Sequence, residues 1–132
     1  MKTKFILLGL LLLAIVFYSV NKLQNNKGPH NGTIQSADNY IIELKTVNSN
    51  FYAFLLDQKL KPIKNKGIYC EIKFFLPDNT AIDATLKPFE EDGFIVESNV
   101  TVYQSCQVIF NVNGKSVSAK FENENIFVQK KL

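Results

Sequence analysis

Few side chains in this 132-residue chain have types and spacings suited to chemistry. His30 is the single histidine, Cys70 and Cys106 are the two cysteines, and Glu90-Glu91-Asp92 is the densest acidic cluster. One imidazole cannot build a multi-histidine metal centre within a chain, and it leaves no second imidazole for general acid–base work. The acidic cluster could attract a cation, but it lacks the alternating ligand pattern of a calcium loop and reads as a solvated turn. The sequence contains no nucleophile elbow, no glycine-rich phosphate loop and no histidine-bearing metal motif. The expectation is a protein that is not an enzyme and holds no cofactor, with His30, alone in a linker, read as a solvated side chain.

Cys70 and Cys106 each fall on the apolar face of a strand-like segment. In an oxidising compartment two inward-facing cysteines are expected to form a disulfide. Closing the thirty-five intervening residues would contribute roughly 3–4 kcal/mol in the chain-entropy description. The other reading is a pair of buried free thiols packed as small hydrophobes. Their wide separation lacks the close ligand spacing of a zinc site.

The elements that would position these residues are strands. Tyr40, Ile42 and Leu44 alternate with Ile41, Glu43 and Lys45, and Phe51 to Leu56 is a continuous apolar run. Ile68, Cys70, Ile72 and Phe74 alternate with Tyr69, Glu71, Lys73 and Phe75, and Pro77-Asp78-Asn79 marks a turn. Ala81 to Leu86 and Phe94 to Glu97 are shorter strands around a Pro88 to Gly93 loop. Tyr103 to Val112 leads through Asn113-Gly114, a strong hairpin signal, into Val117, Ala119 and Phe121. The pattern predicts an all-β fold, an immunoglobulin-like β-sandwich of about seven strands over residues 32–128.

Ahead of it, Met1-Lys2-Thr3-Lys4 is followed by an uncharged run from Phe5 to Val20. A basic start before such a run reads as an export signal. Residues 1–23 are expected to be a hydrophobic helix, either a cleaved signal peptide or an uncleaved signal anchor with Tyr18 at the membrane interface. The end of the run offers no small-residue pair for a signal peptidase, which favours the anchor. Sixteen helical residues span about 24 Å, so snorkelling lysines would help to cover the roughly 30 Å hydrocarbon core. Polar residues 24–31 read as a linker.

The formal charge of +3 belongs to the N-terminal region. From Gly28 onward eleven lysines face twelve acids, and the chain has no arginine. A near-neutral domain without arginine lacks the basic footprint of a nucleic-acid binder. Asn31-Gly32-Thr33 and Asn99-Val100-Thr101 match the glycosylation acceptor pattern.

The stretches Gly28-Pro29-His30-Asn31-Gly32-Thr33-Ile34, Asn39-Tyr40-Ile41-Ile42-Glu43-Leu44 and Phe51-Tyr52-Ala53-Phe54-Leu55-Leu56-Asp57 have a familiar form. With Lys61-Pro62-Ile63 and the hairpin around Gly114, they resemble a small exported β-sandwich domain whose members read "His-Gly-Gly", then "Tyr-x-x-Glu-Leu", then an aromatic strand ending "Leu-Asp". Such domains occur alone or near the N-terminus of periplasmic adaptor subunits of heavy-metal efflux pumps. The resemblance implies a β-sandwich in a periplasmic setting, with His30 as a metal candidate. Asn31 stands where the usual pair has its first glycine, and the long helical hairpin of a true adaptor is missing.

The expected function is a membrane-tethered extracytoplasmic binding or interaction module of the bacterial cell envelope, with the domain facing the periplasm and an envelope protein as partner. Cleavage of the N-terminal segment would make it secreted. Tyr69, Phe75 and Ile109, with Tyr52, are candidates for an exposed patch. The alternative is an accessory periplasmic metal-binding protein associated with heavy-metal efflux, holding a soft ion such as copper(I) through His30 and the two thiols.

Overall fold

The computed structural model describes residues 27–123, and every helix or strand in that span is a β-strand. The eight strands are β1 (Thr33–Ala37), β2 (Tyr40–Val47), β3 (Asn50–Leu56), β4 (Tyr69–Phe75), β5 (Ala81–Phe89), β6 (Gly93–Glu97), β7 (Ser105–Val112) and β8 (Lys115–Glu122). They form one antiparallel sheet in the order β1-β2-β3-β6-β5-β4-β7-β8. The sheet curls until β1 and β8 touch without sharing a ladder, so it is nearly closed. The expected hydrophobic helix at 1–23 lies outside the described residues, as does the end of the expected domain beyond 123.

Strand β5 makes the curl possible. Its first part, Ala81 to Leu86, pairs with β4, and its last three residues, Lys87 to Phe89, pair with β6. One strand thus serves both halves of the sheet. Pro88, expected in a loop, sits opposite Phe94 where β5 has left β4 and keeps one neighbour, an edge-like position that tolerates a missing N–H. Strand β1 was not expected either. Its sequence, Thr-Ile-Gln-Ser-Ala, shows no regular apolar alternation, and pairing with β2 holds it in place.

The core fills the space inside the curl, with Ile42, Phe51, Ile72, Phe74, Val108 and Phe110 among its most enclosed members. Burying a phenylalanine of this kind contributes about 2–3 kcal/mol. Phe51 meets Phe74 edge to face at 5.1 Å, and Phe94 meets Phe110 at 5.6 Å, which ties opposite halves together. The β7–β8 hairpin turns through Asn113 and Gly114 at φ of 52° and 82°, the double left-handed conformation of a type I′ turn.

Both cysteines face this core, but they are free thiols. The register explains why the expected disulfide is not made. Cys70 lies opposite Phe110 and Cys106 lies opposite Phe74, so the two are four positions apart along neighbouring strands. At about 3.4 Å per residue that is roughly 14 Å, against a Cα limit near 7 Å for a disulfide. Shared face was legible in the sequence; register was not. Burial, and secondarily the Glu71 carboxylate, pushes the Cys70 thiol far up from its ordinary value. Burial and then Glu122 push Cys106 up to about 12.

Candidate functional site

The outer face of β2 and β3 carries a second, smaller buried cluster. Along β3 the apolar run continues on both faces, so Phe54 and Leu56 point away from the core yet are 4% and 0% exposed. Ile63 donates its backbone N–H to the Leu55 carbonyl and Pro62 bridges Leu56, so the 57–68 connection runs beside the end of β3 where its pairing with β6 stops. The Gly28–Asn31 turn covers Phe54, with the His30 ring stacked on the Phe54 ring at 3.6 Å and only 6° from parallel.

Beneath that turn lies Glu43. By alternation it belongs to the solvent face of β2, yet it is 0% exposed. Its Oε2 accepts the backbone N–H of His30 at 2.9 Å and that of Gly32 at 2.8 Å, and its Oε1 meets His30 Nδ1 at 2.7 Å. A carboxylate with three donors is compensated for leaving water, which an unpartnered one would not be. Among the described residues no buried side-chain nitrogen or oxygen lacks a partner. Glycine at 28 is required for this approach, because a Cβ there would stand 2.6 Å from Glu43 Oε2. Asn31 adopts a φ of 69°, the left-handed conformation that asparagine tolerates and glycine adopts more easily.

The other imidazole nitrogen faces the β5–β6 turn. His30 Nε2 is 3.4 Å from Asp92 Oδ2, with both side chains about a quarter exposed, at 26% and 29%. That turn is held from the opposite side by Asn65, whose Nδ2 donates to the Gly93 carbonyl at 2.8 Å and to the Glu90 carbonyl at 3.1 Å. The Asn65 backbone N–H adds a bond to the Glu91 carbonyl at 2.9 Å. His30 is therefore fixed by a ring below it and a buried carboxylate at one nitrogen, with a second carboxylate beside the other.

Next to His30 an open groove of about 300 Å³ runs along the same face. Tyr52, Phe54, Phe89 and Val47 form its apolar surface, with Lys45 and Glu90 at its sides. Tyr52 and Phe89 meet edge to face at 5.2 Å. Val47 is 42% exposed.

Several sequence expectations are relocated by this arrangement. His30 was expected in a linker and is instead part of the folded domain, because residues 27–31 turn back onto the sheet and Lys27 bridges Thr33. The thiols do not join it. Cys70 and Cys106 point into the core from β4 and β7, while His30 lies on the outer face of β2 and β3, so no soft His–Cys set forms. Of the expected patch, Tyr69, Phe75 and Ile109 share the outer face of the β4–β7 pair, and Tyr52 lies apart from them. Tyr69 and Phe75 end β4 on opposite sides of Glu71 and Lys73, and Ile109 lies opposite Glu71. Tyr52 is on β3, paired with Lys45 and Ile95 in the other half of the sheet. Lys120 further covers Phe75, at 5.7 Å from the ring centre. Asp92 belongs to the acidic cluster that reads as a solvated turn, and Glu43 alternates with the apolar residues of β2, so neither local pattern places it beside His30. Among the described residues no group of three or more His, Cys, Asp or Glu side chains gathers as a metal cluster.

No family model, curated protein or solved structure matches the chain.

Proposed function

We propose that the chain is a membrane-tethered extracytoplasmic binding module, in which the outer face of β2 and β3 receives an envelope protein. The observation that carries this reading is the Lys45–Tyr52–Phe89 groove, an open aromatic surface bounded by opposite charges and set on a rigid strand pair. Surfaces with an aromatic centre and a polar rim are the kind that proteins use for recognition. The basic start and uncharged run of residues 1–20 support the tether and the periplasmic placement.

Strand order supports the immunoglobulin-like reading. The order β2-β3-β6-β5 opposed to β4-β7-β8 reproduces the four-plus-three division of that sandwich, with β1 added at one edge.

The test is cross-linking in native membranes, with the unaltered chain compared with a Lys45→Glu/Val47→Asp double variant. Both positions lie outside the core, so folding should be retained, which thermal melting would check. The expected result is a discrete cross-linked envelope protein that the double variant loses. Equal cross-linking by both chains, or none by either, would end this reading.

A further inference from the structure

The strand register sets four side chains in one row across the outer face. Lys45 on β2 lies opposite Tyr52 on β3, Tyr52 opposite Ile95 on β6, and Ile95 opposite Lys87 on β5. Tyr52 and Ile95 are only partly buried, so the middle of the row is apolar and within reach of a ligand. Phe89 packs against Tyr52 beside it. The two lysines end the row three strand spacings apart, about 14 Å. Among the described residues neither ammonium group forms an ion pair. Glu90 stands by the groove on one side of the row, and Glu97, two residues beyond Ile95 on β6, stands on the other. An acidic group is therefore favoured at the two ends of the row and meets like charge on either side of it.

We infer that this face takes an extended acidic peptide segment laid across the strands, with an apolar or aromatic residue midway between two carboxylates. In an extended chain residues i, i+2 and i+4 point the same way, and i to i+4 spans about 14 Å. That span matches the row. Carboxylates at i and i+4 reach Lys45 and Lys87, while the side chain at i+2 lies on Tyr52 and Ile95. A basic segment would set its cations against both lysines. A wholly apolar one would take water from two ammonium groups and return no partner. Exposed ion pairs of this kind are individually weak, so they select the segment and its register, and the aromatic contact adds the rest. The inference rests on the reading that this face receives an envelope protein, and it names the segment by which that protein is held.

The test uses the full chain in neutral detergent micelles and a fluorescein-labelled probe peptide, Ser-Glu-Thr-Phe-Thr-Glu-Ser, followed by fluorescence anisotropy. A second probe of the same composition, Ser-Glu-Glu-Thr-Phe-Thr-Ser, carries its acids side by side. The first should bind saturably, about fivefold or more tighter than the second, and should weaken as salt is added. Lys87→Glu should weaken it by about fivefold or more. Lys115→Glu, the same charge change at the exposed start of β8, should leave it unaltered. Both lysines are exposed, so both variants should fold, and unchanged melting temperatures would confirm that. Equal affinity for the two probes, equal affinity of the two variants, or no saturable binding would overturn the inference. Cross-linking in native membranes separates that outcome from failure of the underlying reading. There Lys87→Glu should lose the product that Lys45→Glu/Val47→Asp loses. A product lost by the double variant and kept by Lys87→Glu would leave the groove as a protein site and remove the acidic segment. No product from the unaltered chain would end both.

Discussion

Gly93 lies directly under the ring of Phe54: a Cβ at position 93 would stand 2.7 Å from Phe54 Cε1. The two residues are register partners on β6 and β3, and the missing side chain on one strand is what lets the ring of the other lie flat across it. The Phe54 ring in turn supports the His30 imidazole. A glycine that a sequence reading assigns to a loop thus sets the level at which the site is built.

The first prediction concerns that pair. Gly93→Ala should push the Phe54 ring off β6 and cost about 1–3 kcal/mol, the usual range for overpacking. Urea denaturation would measure it. The His30 ring-proton shifts, which report stacking on Phe54, should move in the same variant and stay in place in the exposed-turn variant Gly67→Ala. Both should be compared below the onset of unfolding, because φ at Gly67 is +78° and alanine is strained there as well.

Glu43 supports a graded prediction. Glu43→Ala strips the acceptor from two backbone N–H groups and the imidazole, and a loss of about 3–5 kcal/mol is expected. Glu43→Gln keeps one carbonyl oxygen for the two N–H groups and should lose about 1–2 kcal/mol. Glu97→Gln, at the exposed end of β6, should change stability by less than about 0.5 kcal/mol. Equal losses for Glu43→Gln and Glu97→Gln would contradict the cradle described for Glu43.

The cysteines yield a prediction with a pH sign. Burial raises both thiols in the folded state, Cys106 to about 12. A group raised on folding contributes stability that is complete below its unfolded value, near 8.5 for a thiol. That contribution is lost as pH rises from there toward the folded value. The melting temperature should therefore begin to fall above about pH 8.5, and less so in Cys70→Ser/Cys106→Ser relative to that variant's own neutral-pH value. A brief pulse of alkylation at pH 8 should add nothing to the folded chain and two labels after denaturation, with or without prior reduction.

Asn65 offers a local test. Asn65→Ala removes the donors to the Glu90 and Gly93 carbonyls, and a loss of about 1–2 kcal/mol is expected. Amide exchange in the 90–93 turn should accelerate, while amides of β7 and β8 keep their protection.

Much of the fold could be read from the chain because period-two alternation marks strands buried on one face. Strand β4 and the β7–β8 hairpin fall within two residues of expectation for that reason. Phe51 to Leu56 was recognisable as a strand from its unbroken apolar run, and only the structure shows that the Gly28–Asn31 turn covers Phe54 on its outer side. The site was less legible. Glu43 alternates like a solvent-facing residue, and nothing local reveals that a turn thirteen residues earlier folds over it. Asp92 reaches His30 across sixty-two positions, a distance fixed by topology that no spacing rule encodes. The cysteine pair failed for a related reason, since alternation reports the face of a strand and leaves sliding along it open.

The shared strand β5 has a mechanical consequence. It binds the two halves of the sheet along one side like the spine of a book, whereas β1 and β8 meet as unbound page edges. Separating the halves at the spine requires breaking ladder bonds on β5; parting them at the page edges requires none between β1 and β8. Thermal breathing should therefore open the molecule from the β1–β8 side. Water would first reach the interior past Leu44, Tyr103 and Phe121, which line that opening. Cys106 lines it too, while Cys70 does not, so slow labelling of the native protein should mark Cys106 before Cys70.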